Sequence, residues 1–402
     1  MGTLESGAPP RYEPFGWHHW PDHFFMSYQF RRALGETQEG GGSVSESFQA
    51  ASRMVPGDLD SWHREWIHVA QRNDLRGDSA ASAGYIRTAM NCWLRAADQY
   101  RSAEFWLAAD DPRRLATFDK CEAASQKWLR HLDPPGEVVE IPYEDGKTLP
   151  AYFIKSAAYG QGVTCPQPVL ISVGGLDSFK DELWFMTGRG AVQRGIAVLL
   201  LDGPGQGGAL RRQKIVSRHD YEVPIGRCID WLEKRPDVDR SRIAVSGSSM
   251  GGYYAARAGS KEHRLAACIS HGAIWDIAKR FADRGEAHAL AGHMKWVLGA
   301  SSMAEAVQIA APFKLEGVLD EMRCPYLVLH GGHDVLGVET VKLVYDYAKA
   351  RGINVTLRLT NAEETGAEHC QHDNPTLGQE IMLDWLCDIF KIDQHKLVFT
   401  PG

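Results

Sequence analysis

The stretch Gly247-Ser248-Ser249-Met250-Gly251 sets a serine between glycines, after the apolar run 243–246 and before the helix-like stretch 253–258. A strand that turns at once into a helix strains its corner residue, and flanking glycines let the chains pass closely. Ser249 is therefore expected at that corner with its hydroxyl raised. The N–H of Met250, at the amino end of the helix, would face any developing negative oxygen. A serine hydroxyl is a weak nucleophile near neutrality, so this chemistry needs a basic imidazole and a carboxylate to hold it in the right tautomer.

Both types of residue follow downstream at strand ends. Asp334 comes after the apolar run 326–330 and is the favoured carboxylate; Asp276 follows an earlier strand, and Asp373 lies too near the base in sequence. The loop after the run 355–359 carries Glu368-His369-Cys370-Gln371-His372, with His369 as the favoured base and His372 as the alternative. His271, His330 and His333 read as packing or supporting residues. A second oxyanion donor is expected in Gly174-Gly175-Leu176, from the N–H of Leu176 in preference to Gly175. The segment Asp202-Gly203-Pro204-Gly205-Gln206-Gly207 has neither the spacing nor the helix of a dinucleotide fingerprint, and reads as a turn beside the site. No phosphate loop and no H-E-x-x-H helix occurs, so neither a cofactor nor a metal is expected.

These loops need a scaffold with its strand ends on one side. Apolar runs at 168–173, 196–201, 243–246, 266–270 and 326–330 are separated by helical stretches, the pattern of a mainly parallel sheet with helices on both faces. The runs 138–142 and 151–154 flank Asp145-Gly146 and predict a hairpin. Residues 43–133 read as helical throughout, with caps at Asp58 to Ser61 and repeats such as Tyr85, Ala89, Trp93, Ala96 and Tyr100. Residues 1–42, ending in three glycines, read as a loosely held arm. The α/β core is expected over 134–272 and 321–395. Between its parts, residues 273–320, with Trp275, Phe281, Trp296 and Phe313, read as a lid that joins the Trp-rich helices over a mostly apolar pocket.

Composition narrows the partners. With 402 residues, 44% hydrophobic positions and a formal charge of -7, the chain has a globular composition and no basic surplus for a phosphate backbone. It lacks a signal-peptide pattern and a membrane-length apolar run, so a cytoplasmic protein acting on small molecules is expected. Eight scattered cysteines without a C-x-x-C pair argue against a disulfide framework or a zinc site.

The strings Gly-Gly-Leu-Asp-Ser (174–178), Gly-Ser-Ser-Met-Gly-Gly-Tyr-Tyr (247–254) and Glu-His-Cys-Gln-His (368–372), behind a long helical region, resemble the α/β-hydrolase superfamily. Within it the chain is similar to the group containing 2,6-dihydroxypseudooxynicotine hydrolase, fungal polyketide-shortening hydrolases and FrsA-like esterases. The resemblance implies an α/β-hydrolase fold and hydrolysis of a carbon–carbon bond next to an activated ketone, or of an ester, without a cofactor, often in a homodimer. It implies Ser249 as nucleophile, Asp334 as acid, His369 as base, and Leu176 and Met250 as oxyanion donors. It also implies an additional glutamate after the nucleophile-bearing helix and next strand, for which Glu286 is chosen over Glu305 and Glu316. A carboxylesterase or lactonase with an aromatic substrate is the alternative. A non-catalytic binding protein is a further one, against which intact Ser249, Asp334 and His369 count.

Overall fold

Helix-forming sequence occupies the first third of the chain in the computed structural model, which describes residues 18–160, 165–176 and 178–398. The helices are α1 (Phe24–Glu36), α2 (Val44–Ala51), α3 (Leu59–Ser82), α4 (Ile86–Glu104) and α5 (Pro112–Leu129). Asp58 caps α3 by accepting from the N–H groups of Asp60 and Ser61, and Asp111 caps α5 ahead of Pro112. Trp62 and Trp66, each 1% exposed, join Trp20 and Phe30 in a core shared with α1. Gly77 lets α3 and α4 meet closely, since a Cβ there would lie 2.5 Å from the Trp93 ring.

The expectation of a loose arm over 1–42 fails in its second half, while residues 1–17 lie outside the described part. Met26, Phe30 and Ala33 fall on one helical face and are buried, so this stretch folds as α1 against α3 and the α/β part. The three glycines instead end the helical segment, with Gly40 in the left-handed region at φ 93°.

The sheet has eight strands: β1 (Glu137–Pro142), β2 (Thr148–Ile154), β3 (Gln167–Val173), β4 (Ala197–Leu201), β5 (Val238–Ser248), β6 (Ala267–His271), β7 (Tyr326–Gly331) and β8 (Val355–Thr360). Their order is β1-β2-β4-β3-β5-β6-β7-β8, antiparallel at the hairpin and at β2/β4 and parallel from β4 to β8. Around the sheet lie α6 (Arg189–Gln193), α7 (Gly207–Arg211), α8 (Glu222–Leu232), α9 (Met250–Lys261), α13 (Val338–Ala350) and α14 (Pro375–Phe390); α10 (Ile277–Ala282), α11 (Ala291–Leu298) and α12 (Met303–Ala310) form the insertion between β6 and β7. This is an α/β-hydrolase fold carrying an N-terminal helical region.

Apolar packing and buried ion pairs join the helical region to the sheet. Trp128 of α5 meets Trp184 at a ring separation of 4.6 Å, and Tyr100 and Phe118 share a core with Phe179. Glu182, fully buried, pairs with Arg32 of α1 at 2.6 Å and with Arg101 of α4, while Glu104 of α4 pairs with Arg211 of α7 at 2.7 Å. Removing one partner of such a buried pair strands the other charge, a loss of about 3–5 kcal/mol, so these pairs fix where α1 and α4 sit.

Candidate active site

The parallel strands β3, β5, β6, β7 and β8 all end on one side of the sheet, and the expected residues meet there. Ser249, between β5 and α9, has φ 59° and ψ -118°, and its N–H donates to the His271 carbonyl at 2.7 Å. A non-glycine residue at positive φ is strained, and it is held by neighbours that leave no alternative. Gly247 is required here because its Cβ would fall 1.9 Å from the Gly251 carbonyl oxygen. The hydroxyl of Ser249 lies 3.0 Å from Nε2 of His369. On the other side of the ring, Nδ1 lies 2.8 Å from both carboxylate oxygens of Asp334, and the N–H of Leu336 donates to Oδ1 at 2.7 Å.

Electrostatics follow from this line of contacts. Burial alone would raise the carboxyl pKa of Asp334, but the adjacent imidazole holds it at about 2. Burial likewise favours a neutral His369 ring, yet the Asp334 carboxylate outweighs it and lifts the pKa well above 6.5. The proton on Nδ1 faces Asp334, which leaves the Nε2 lone pair toward the Ser249 hydroxyl.

Leu176 and Met250 border the same space as Ser249. Met250 opens α9, where the first N–H groups have no partner within the helix. The loop before Leu176 lies close to the Ser249 corner, since a Cβ on Gly175 would sit 3.1 Å from Cβ of Ser249. Gln206, in the turn after β4, reaches this loop: its Nε2 donates to the carbonyls of Gly174 at 2.5 Å and Gly175 at 3.1 Å. Those bonds anchor the loop that carries Leu176.

His372 also borders the cavity, but the hydroxyl bond of Ser249 goes to His369. The His372 ring packs edge-on against Tyr28 at 5.9 Å, and burial together with Arg32 pushes its pKa well below 6.5. The competing carboxylates have other partners. Asp276 caps α10 through the N–H of Lys279, and Asp373 accepts from the N–H groups of Ala367 and Glu368 at 3.1 Å each, shaping the base loop.

Glu286 does not reach the site. It is exposed, pairs with Lys295 at 2.7 Å and accepts from the Met303 N–H at 2.6 Å, so it ties parts of the insertion together at the surface. Among the described cavity-lining residues there is no Asp or Glu. The aromatic expectation also shifts. Of the four insertion aromatics only Phe281 lines the cavity; Trp275 packs on Tyr347, Trp296 lies against Arg114 and Arg211, and Phe313 packs on Tyr253. The remaining aromatic wall comes from Phe24, Phe25 and Tyr28 of α1 together with Phe105.

Helix α1 also grips the base loop. Arg31 pairs with Glu368 at 3.0 Å, and the Tyr28 hydroxyl donates to the His369 carbonyl at 3.4 Å. The cavity over Ser249 has a volume of about 90 Å³.

With this geometry established, similarity to known proteins can be placed. Residues 57–309 match the family described as "Esterase FrsA-like". The chain is 33% identical over 349 residues to hydrolase acrC of Aspergillus aculeatus, covering 76% of this chain and 81% of that one. The chain belongs to the FrsA-like esterase family. Another relative, the 20-hydroxy-prefusarin hydrolase FUS2 of Gibberella moniliformis, is 30% identical over 76% of this chain and 81% of its own length. Alpha/beta hydrolase xenA of Xenoacremonium sinensis is 36% identical, but the matched stretch spans only 62% of its length. For alpha/beta hydrolase pydG of an Acremonium species the corresponding share is 59%. The crystal structure of 2,6-dihydroxy-pseudo-oxynicotine hydrolase superposes with a TM-score of 0.75 at 28% identity, covering 91% of this chain and 98% of that one. In this FrsA-like protein the family match includes α3 to α12, Leu176, Ser249 and Met250 but stops before Asp334 and His369. The latter two are joined to the site by the distances above.

Among the described residues no helix is long and apolar enough to cross a membrane, and no group of three or more His, Cys, Asp or Glu side chains could hold a metal ion. The eight cysteines are free, and all but Cys165 are buried.

Proposed function

We propose that the protein is a serine hydrolase that cleaves a carbon–carbon bond next to an activated ketone through an acyl-enzyme. The observation that carries this is the unbroken contact from Ser249 Oγ to His369 Nε2 and from Nδ1 to Asp334, at the floor of a small, mostly apolar cavity. Ser249 attacks the ketone carbonyl as His369 takes its proton, and the N–H groups of Leu176 and Met250 bind the oxyanion. The carbon–carbon bond then breaks. Its electron pair leaves on a carbon delocalised by a second carbonyl or an electron-rich ring, and that carbon takes the proton from His369. Water, deprotonated by His369, releases the acid and restores Ser249.

The similarity to 2,6-dihydroxy-pseudo-oxynicotine hydrolase across nearly its whole chain supports this choice of bond. Ester or lactone hydrolysis is the second reading, favoured by the absence of a described cavity carboxylate in the place expected for Glu286. A cytoplasmic homodimer acting on small molecules belongs to the same proposal. Since the void is about 90 Å³, below the roughly 300–1,000 Å³ of pockets for drug-sized ligands, a bulky aromatic substrate enters only as α1 and the insertion part. In that sense residues 273–320 and α1 act together as the lid.

Mass spectrometry of products from aryl β-diketones, acylated phenols and matched aryl esters tests the bond. Ketone cleavage yielding a carboxylic acid and the protonated carbon fragment is expected. Turnover of esters alone would replace this proposal with the ester reading.

The pH profile provides a separate test. The base must be neutral, and Asp334 raises the pH at which His369 loses its proton, so kcat/KM should rise with pH through an apparent pKa above 6.5 in the free enzyme. A profile already flat below pH 6 would contradict the assignment of His369.

A further inference from the structure

The insertion turns a charged face toward the nucleophile. Ile277, Arg280, Phe281 and Arg284 recur at the spacing of one helical face, along α10 and the turn after it, and all four line the cavity that holds Ser249. Ile277 and Phe281 supply apolar wall, as a pocket for an organic substrate requires. Two guanidinium groups four residues apart do not, because like charges at this spacing repel.

Their neutralisation is incomplete within the protein. Arg280 donates from Nη2 to the Val335 carbonyl at 2.6 Å, but its Nε is buried without a hydrogen-bond partner. Neither Arg280 nor Arg284 makes an ion pair or a side-chain hydrogen bond to a carboxylate among the described residues. The nearby acids are Asp283, which is exposed, and Asp334, whose oxygens are engaged by His369 and the Leu336 N–H. Arg32, the other cationic residue lining the cavity besides the histidines, differs in kind, since it pairs with Glu36 and Glu182. A guanidinium fork matches a carboxylate in shape and charge, and a half-buried, water-poor setting strengthens that match.

We propose that Arg280 and Arg284 form an anion subsite, so that the acyl substrate of Ser249 is itself a carboxylate. This inference rests on the reading of Ser249 as the nucleophile. The substrate would lie with its reacting carbonyl between Ser249 and the N–H groups of Leu176 and Met250. Its carboxylate would lie under the insertion, where Nε of Arg280 gains the partner it lacks and the repulsion between the two arginines is relieved.

The test uses the full chain and 4-nitrophenyl half-esters of dicarboxylic acids, succinate through suberate, each beside the neutral monocarboxylic ester of equal length. At one length or more the wild-type kcat/KM should favour the half-ester by about 10- to 100-fold, the range of a hydrogen-bonded charge pair. In Arg284→Gln, which breaks no hydrogen bond or ion pair among the described residues, the ratio should fall. In Arg280→Gln/Arg284→Gln it should approach one, and Arg284→Lys should restore part of it. Binding of the same pairs to Ser249→Ala, by calorimetry, separates this subsite from catalysis. Arg-dependent preference for the half-ester in Ser249→Ala, with no ester turnover by wild type, would support the subsite and refute the ester reading, leaving ketone cleavage to be judged by the product analysis above. Equal turnover and equal binding of charged and neutral esters at every length would overturn the subsite while leaving the hydrolase reading intact.

Discussion

Ser249→Ala should lower kcat on any substrate of the wild-type protein by about 10⁶-fold, the loss seen when the nucleophile is removed from a serine triad. The fold should survive, because the corner is held by backbone: the Ser249 N–H bonds to His271, the Gly252 N–H bonds to the Ser249 carbonyl, and Gly247 and Gly251 permit the close crossing. Alanine keeps the Cβ and loses only the hydroxyl that faces Nε2 of His369. Thermal unfolding together with single-turnover kinetics measures both parts. Retained turnover in a folded Ser249→Ala protein would remove the acyl-enzyme mechanism.

Asp334→Asn should cost about 10⁴-fold in kcat with little change in side-chain volume. Both Asp334 oxygens face Nδ1, and the carboxylate stays ionised down to about pH 2. An asparagine here must keep its oxygen toward the Leu336 N–H, which sets its NH₂ against Nδ1. The ring then takes the tautomer that protonates Nε2, the nitrogen that must accept the Ser249 proton. The same substitution removes the charge that raises the His369 pKa, so the residual activity should show its acid limb at lower pH than the wild type. Activity within tenfold of wild type would assign the carboxylate a structural role only.

How far these residues could be read from sequence depends on how local their cause is. The Ser249 corner is written in consecutive residues, because a strand, a helix and two glycines leave the backbone one solution. The strand ends behind Gly174, Asp334 and His369 are likewise announced by apolar runs, and the structure moves their limits by only a residue or two. The longer reach of β5, from the buried Val238, is hidden because the four residues that follow, Asp239 to Arg242, are polar and half-buried or exposed. Choosing between His369 and His372 needs the third dimension, since both rings border the cavity and only His369 meets the Ser249 hydroxyl, on a loop whose Cys370 and Gln371 take positive φ.

Most of the remaining misses are contacts distant in sequence. Helix α1 offered a readable face in Met26, Phe30 and Ala33, but its aromatic wall over Ser249 depends on the buried pairs Arg31–Glu368 and Arg32–Glu182, which span more than a hundred residues. Gln206 acts across two strand ends and has no local signature. Glu286 was chosen by chain position alone, and its bonds to Lys295 and Met303 turn it outward. Ile277, Arg280, Phe281 and Arg284 recur at helical spacing, but their meeting Ser249 across the cavity depends on packing that the spacing does not contain.

The most direct measurement of the central claim is covalent. The wild-type protein is treated with a fluorophosphonate, digested, and mapped by mass spectrometry, with Ser249→Ala and His369→Ala alongside. A single phosphonylated serine at position 249 is expected in the wild type, absent from Ser249→Ala and formed far more slowly in His369→Ala. An unmodified Ser249, or equal labelling without His369, would contradict the assignment of Ser249 as an imidazole-activated nucleophile.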